Sequence, residues 1–133
     1  MSFTGKISSE LRAYQGDIFK QTSLPADGNK MSDRFEAAGI LSGSEIVIAA
    51  LTDIVIGENK KLVIELYGAD SPDGNYAREA EILSVTGART FSAGEELARF
   101  VPNSASKYYQ KLKVTDDSDL SSAMITAYLV HKG

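Results

Sequence analysis

Lys60–Ala69, KKLVIELYGA, followed by Asp70–Asn75, DSPDGN, is the stretch whose reading decides the fold. Leu62, Ile64 and Leu66 fall on one side of an extended chain, and Val63, Glu65 and Tyr67 on the other. Alternation with period two marks a half-buried strand. Asp70, Pro72, Asp73, Gly74 and Asn75 supply strong turn chemistry, and a second extended run starts at Tyr76. The pattern predicts a hairpin in the middle of an all-β domain.

Downstream, Ala77–Val85 has the alanine and glutamate content of a helix, but its place after the turn makes it the companion strand, with Ala80, Ile82 and Ser84 on one face. Thr86–Gly94 reads as a connection, Glu95–Val101 as a strand ended by Pro102, and Lys107–Thr115 as a strand. In the last, Tyr108, Gln110, Leu112 and Val114 alternate with Lys107, Tyr109, Lys111 and Lys113. Asp116, Asp117, Ser118 and Asp119 form an acidic turn before the closing strand Ser122–His131. That strand is apolar on both faces, so it belongs in the centre of its sheet or under another chain.

Upstream, Ser44–Ile56 is rich in β-branched residues and apolar on both sides, which predicts cover on both. Thr52 and Asp53 mark a bulge or bend, and Gly57–Asn59 a turn. In residues 1–43 the large apolar residues stand singly, as at Phe3, Ile7, Tyr14, Ile18 and Phe19. Two readings stay open: an arm laid over a surface, or a first strand near Leu11–Thr22 followed by a long surface loop. A short helix capped by Ser32 fits Ser32–Ala38, with Phe35 facing inward. The expected organisation is one domain: residues 1–43 as N-terminal arm and first strand, 44–133 as an antiparallel β-sandwich. Seven or eight short strands with regular turn signals point to a sandwich or jelly roll.

The 133 residues are 43% hydrophobic and 24% charged, ordinary globular values. Fourteen basic against 18 acidic residues give a net charge of −4, which weighs against nucleic-acid binding. Cysteine is absent, excluding disulfides, thiolate metal sites and cysteine nucleophiles. No apolar run approaches the roughly 20 residues that span a bilayer, and MSFTGKISSE has no signal-peptide core. A cytoplasmic product, unless carried out in a particle, is expected.

Catalytic chemistry finds little support. His131 is the only histidine and lacks triad or metal partners. Asp116, Asp117 and Asp119 lack the ordered spacing of a calcium loop and read as a solvated turn; Asp70, Asp73 and Asn75 likewise read as a turn. No phosphate-binding glycine motif occurs. No catalytic residue, metal or cofactor is expected. The Lys107, Tyr109, Lys111 and Lys113 face fits three roles: a solvated face that blunts edge pairing, a contact with an acidic protein surface, or a nucleic-acid platform.

Four pieces resemble the small jelly-roll decoration (cement) proteins of tailed-phage capsids: KLVIELYGADSPDGNY (61–76), AGEELARFVPNSASKYYQKLKVT (93–115), the acidic turn 116–119, and SSAMITAYLVHKG (121–133). The match runs from about Leu62 to the C-terminus and rests on pattern and order; residues 1–43 match less well. The resemblance implies a non-enzymatic virion protein, made in the host cytoplasm, that binds the outside of the assembled head. There it would bridge major capsid subunits and resist internal pressure. A homo-oligomer is expected, dimer slightly ahead of trimer because closed two-fold dimers are the commonest homo-oligomers; charge and the lack of a spanning run leave neither nucleic acid nor membrane as an expected partner. On that view Phe3, Ile7, Tyr14, Ile18 and Phe19 are candidate capsid anchors, and Met124, Tyr128 and Val130 a candidate subunit interface, unless either set completes the core. The competing class is a lectin-like module using Tyr67, Tyr76, Tyr108 and Tyr109 as sugar platforms.

Overall fold

The computed structural model describes residues 10–36, 44–101 and 109–132, and all of their regular structure is strand. The strands are β1 (Glu10–Ser23), β2 (Asn29–Met31), β3 (Phe35–Glu36), β4 (Ser44–Ala50), β5 (Ile54–Ile56), β6 (Lys61–Ala69), β7 (Ala77–Thr86), β8 (Arg89–Phe91), β9 (Glu96–Phe100), β10 (Tyr109–Asp116) and β11 (Met124–Lys132). One sheet has the order β1-β11-β4-β9. The other runs β2-β10-β6-β7, with β3 on the same edge of β10 as β2, and β5 and β8 form a separate ribbon. The chain is an antiparallel β-sandwich.

The ladders are nested. Gly68 faces Ala77, Lys61 faces Thr86, Ile54 faces Phe91, Ile46 faces Phe100, Lys113 faces Met31 and Glu10 faces Lys132. Partners therefore lie at nearly equal distances on either side of Pro72–Asp73, and the chain is one long antiparallel ribbon rolled over on itself. The 70–75 turn is its closed end. Gly74 N–H donates to the Ser71 carbonyl at 3.1 Å. A Cβ at Gly74 would lie 2.5 Å from Ser71 Oγ and 3.3 Å from the Ser71 carbonyl oxygen, so a larger residue there would make the Ser71 hydroxyl swing aside. Tyr76 fastens the turn by donating its hydroxyl to the Pro72 carbonyl at 2.8 Å.

Inward-facing apolar residues of both sheets fill the core: Ile46, Ile48, Ile125 and Ala127 from one, Leu62, Ile64, Leu66, Leu112 and Val114 from the other. The ribbon adds Ile54, Ile56 and Phe91. The alternation read in Lys60–Ala69 and Lys107–Thr115 holds from Lys61 to Gly68 and from Tyr109 to Thr115: odd and even positions separate into buried sets and more exposed ones. Strand β11 lies between β1 and β4, so both its edges are paired and its two-sided apolarity is that of a central strand. Strand β4 is covered on both faces, with Val47 and Ile48 both buried. Val47 sits between Tyr128 and Arg99, and Arg99 is held over that face by Glu45 at 3.5 Å and Glu96 at 2.7 Å.

Several expectations are corrected. Over Glu10–Ser23 the irregular-arm reading gives way to the strand reading, because this segment satisfies the outer edge of β11. The long loop after it is interrupted by β2 and β3, which line the edge of β10. Ser32 caps no helix. Its backbone N–H donates to the Leu112 carbonyl at 2.8 Å, and its side-chain Oγ accepts the Leu112 N–H at 2.9 Å. An extended chain supplies those partners to β10, and a helix would not. Phe35 does pack against the core. The part of the proposed helix beyond Glu36 lies outside the described residues.

In β7 the inward set is Ala80 and Ile82, then Leu83 and Val85, while Ser84 is exposed. Register shifts opposite Ile64/Glu65 and Leu66/Tyr67 change the facing parity. Arg89–Phe91, inside the segment read as a connection, is a strand paired with β5. The expected bend at Thr52–Asp53 is where the chain leaves the first sheet. There Met124 N–H donates to Thr52 Oγ1 at 3.0 Å and Ala93 N–H to Asp53 Oδ1 at 2.8 Å.

Candidate functional site

The outer face of the β10-β6-β7 sheet gathers the largest set of sequence-predicted polar and aromatic residues. Period two along β10 turns Tyr109, Lys111 and Lys113 outward, and buries Gln110, Leu112 and Val114. Across β10, Lys111 faces Tyr67 and Lys113 faces Glu65; across β6, Tyr67 faces Arg78 and Glu65 faces Glu81. Lys111 Nζ lies 4.5 Å from the centre of the Tyr76 ring, and Lys113 Nζ 5.3 Å from that of Tyr67. Lys113 also donates to the Tyr67 hydroxyl at 3.5 Å. Glu65 accepts from Arg78 at 2.6 Å. Each lysine is thus held by a ring quadrupole. Among the described residues neither Lys111 nor Lys113 has a carboxylate within ion-pair distance.

Tyr67 and Tyr76 were legible as exposed aromatics but not as lysine supports. That role depends on which strand lies beside β10, and on the fold of the 70–75 turn. Tyr76 is tied down through its hydroxyl, and the ring face beside Lys111 is occupied, which works against sugar stacking there. Lys107 and Tyr108 lie outside the described residues.

The other candidates are dispersed. Phe3 and Ile7 lie outside the described residues. Tyr14, Ile18 and Phe19 belong to β1, where Phe19 faces Ala127 of β11. Met124, Tyr128 and Val130 share the face of β11 opposite Ile125 and Ala127. Val130 is only 3% exposed in the single chain, so it has almost no area left to offer a second subunit, whereas Met124 and Tyr128 are half-buried. His131 lies in β11, opposite Ser44.

The acidic turn is not uniformly solvated, contrary to expectation. Asp116 ends β10 and is 3% exposed. Its Oδ1 accepts Gly28 N–H at 3.3 Å, and its Oδ2 is buried without a hydrogen-bond partner in the structure. Asp117 Oδ1 accepts Lys61 N–H at 2.8 Å, and Asp119 Oδ1 accepts both Ser121 N–H at 3.0 Å and its hydroxyl at 2.6 Å. These carboxylates organise backbone at the sandwich end. No group of three or more His, Cys, Asp or Glu side chains is placed to hold a metal ion among the described residues.

Loss of hydration on burial raises the Asp116 pKa above 3.8; the amides of Gly28 and Asp27 oppose the rise, and the charges of Asp27 and Asp117 add to it. The hydroxyl and amide of Ser121 lower that of Asp119. A raised folded-state pKa means that Asp116 favours the fold fully below pH 3.8, and that this contribution is lost as pH rises through the folded-state value. Asp116→Asn keeps an acceptor for Gly28 without the charge. Wild type is therefore expected to gain on Asp116→Asn as pH falls from 7 toward 4. Urea melts of both proteins across that range measure the difference; a gap that stays constant refutes the assignment.

Compared with known proteins, the chain matches no family model and no curated protein sequence.

Proposed function

We propose that this protein is a non-enzymatic virion component that binds the outside of an assembled tailed-phage capsid, bridges major capsid subunits and stabilises the head. The observation that carries the reading is the nested strand order. Taking β2 and β3 as one broken strand and β5-β8 as an added rung leaves eight strands. Their sheet orders are first-eighth-third-sixth and second-seventh-fourth-fifth. That winding supports the jelly roll that the resemblance to decoration proteins implies. The resembling pieces fall on β6 with its turn, on β9 and β10, and on β11 with the turn before it. A sandwich closed by ladders from end to end is a stiff body, and stiffness suits a clamp. A homo-oligomer, with a dimer ahead of a trimer, would engage several lattice points at once and convert modest contacts into firm attachment.

The test is co-sedimentation of the purified protein with empty heads of its own phage, with oligomeric mass from light scattering. Saturable binding at a fixed copy number per lattice site, and heads that better survive heat or chelator, are the expected results. Absence of binding together with hits on a glycan array would replace this reading with the lectin-like one.

A further inference from the structure

We infer that the Lys111–Lys113 strip of β10 is the face that meets the capsid, and that what it meets is a carboxylate-bearing protein surface; this rests on the capsid-binding reading above. The strip has two ammonium groups on successive outward positions of one strand, roughly 7 Å apart along the chain. In a chain of net charge −4 these two cations have no carboxylate counterpart within ion-pair distance among the described residues. The nearest acid by register, Glu65, is engaged by Arg78, and Glu81 lies on β7, beyond β6.

The lysines are also positioned. Tyr76 and Tyr67 hold the ammonium groups at 4.5 and 5.3 Å from their ring centres, which reduces the freedom lost when a partner binds. Carboxylates two apart on a strand, or one turn apart on a helix, match such a pair in spacing and sign. A nucleic acid would need free ring faces for stacking and a longer basic track. Here one face of each ring is already occupied and the chain as a whole is acidic. The apolar alternative, the outer face of β11, has Val130 and Thr126 buried within the chain.

The experiment compares wild type with the double variant Lys111→Glu, Lys113→Glu in two assays, after circular dichroism and thermal melts show that both fold. The first is co-sedimentation with empty heads at 50 and 500 mM salt. The second is fluorescence anisotropy with labelled poly-L-glutamate, using heparin and a single-stranded oligonucleotide as comparators. Wild type is expected to bind heads, more weakly at high salt, and the variant to bind at least tenfold more weakly, as charge reversal at a contact predicts. Equal head binding by both proteins would overturn the inference and leave the capsid reading standing. Failure of wild type to bind heads would overturn the capsid reading, and the face would then be judged on the second assay. Binding of poly-L-glutamate that the variant loses supports a carboxylate partner. No such binding, or tighter binding of heparin or oligonucleotide, overturns it.

Discussion

Replacing Leu112 by alanine is expected to destabilise the protein by about 2–5 kcal/mol, the range for deleting a fully enclosed leucine side chain. Leu112 has no exposed surface, faces Leu66 across β10 and β6, and packs in the cluster that joins the two sheets. Its backbone is pinned on the other edge by Ser32, so the strand cannot sink into the vacated space. The cavity should therefore persist, which places the loss in the upper part of the range. In urea the midpoint should fall while the slope is unchanged, because the surface exposed on unfolding is nearly the same. A drop of about 4 °C per kcal/mol in melting temperature should accompany it. A loss below about 1 kcal/mol would show that this part of the core is not close-packed.

Phe91→Ala should be as severe, at about 3–5 kcal/mol, but different in character. Phe91 is among the largest fully buried side chains, and it sits in a strand of three residues. The β5-β8 ribbon touches the core through Ile54, Ile56 and Phe91, while Val55 on its other side is 63% exposed. The Arg89 guanidinium lies 4.3 Å from the centre of the Phe91 ring, so the ring also supports a neighbour on its own face of the strand. With the phenylalanine gone, Ile54 and Ile56 remain to hold a ribbon whose second strand has lost its core anchor, and the ribbon should open without the rest of the sandwich. Hydrogen exchange should show protection lost in Ile54–Ile56 and Arg89–Phe91 and retained in β10 and β11. Uniform loss of protection would mean that the ribbon and the sandwich unfold as one.

Much of this architecture is legible in local pattern. The alternations in Lys60–Ala69 and Lys107–Thr115 identify the buried faces of two central strands, and the two-sided apolarity of Ser122–His131 identifies a third. What local pattern hides is whatever depends on a partner strand. Ser84 carries the wrong parity because the register shift between Leu83 and Glu81 puts the residues on either side of it out of phase. Ser32 has the chemistry of a helix cap, yet it serves as a side-chain acceptor for β10, a segment 80 residues away. Turn signals separate most strands and invite a series of adjacent hairpins, whereas among the described residues only β6 and β7 pair with their immediate chain neighbour. The candidate contact face shows the same division. The lysines and tyrosines are evident as types at alternating positions, but their pairing across β10, β6 and the 70–75 turn is a product of the register.

The nesting around Pro72–Asp73 also bears on synthesis. Every ladder among the described residues joins a strand from before that turn to one from after it, and no two of β1 to β6 pair with each other. A ribosome that has released residues 10–69 has put six strands into the cell with none of their partners. Sheet formation must wait for the strands that follow the turn. It then proceeds most cheaply outward from β6 and β7, since each closed rung shortens the loop that the next must close. Strand β1 precedes the other described strands and is matched only when β11, which follows them, is complete, so its edge stays exposed while all the strands between are being made.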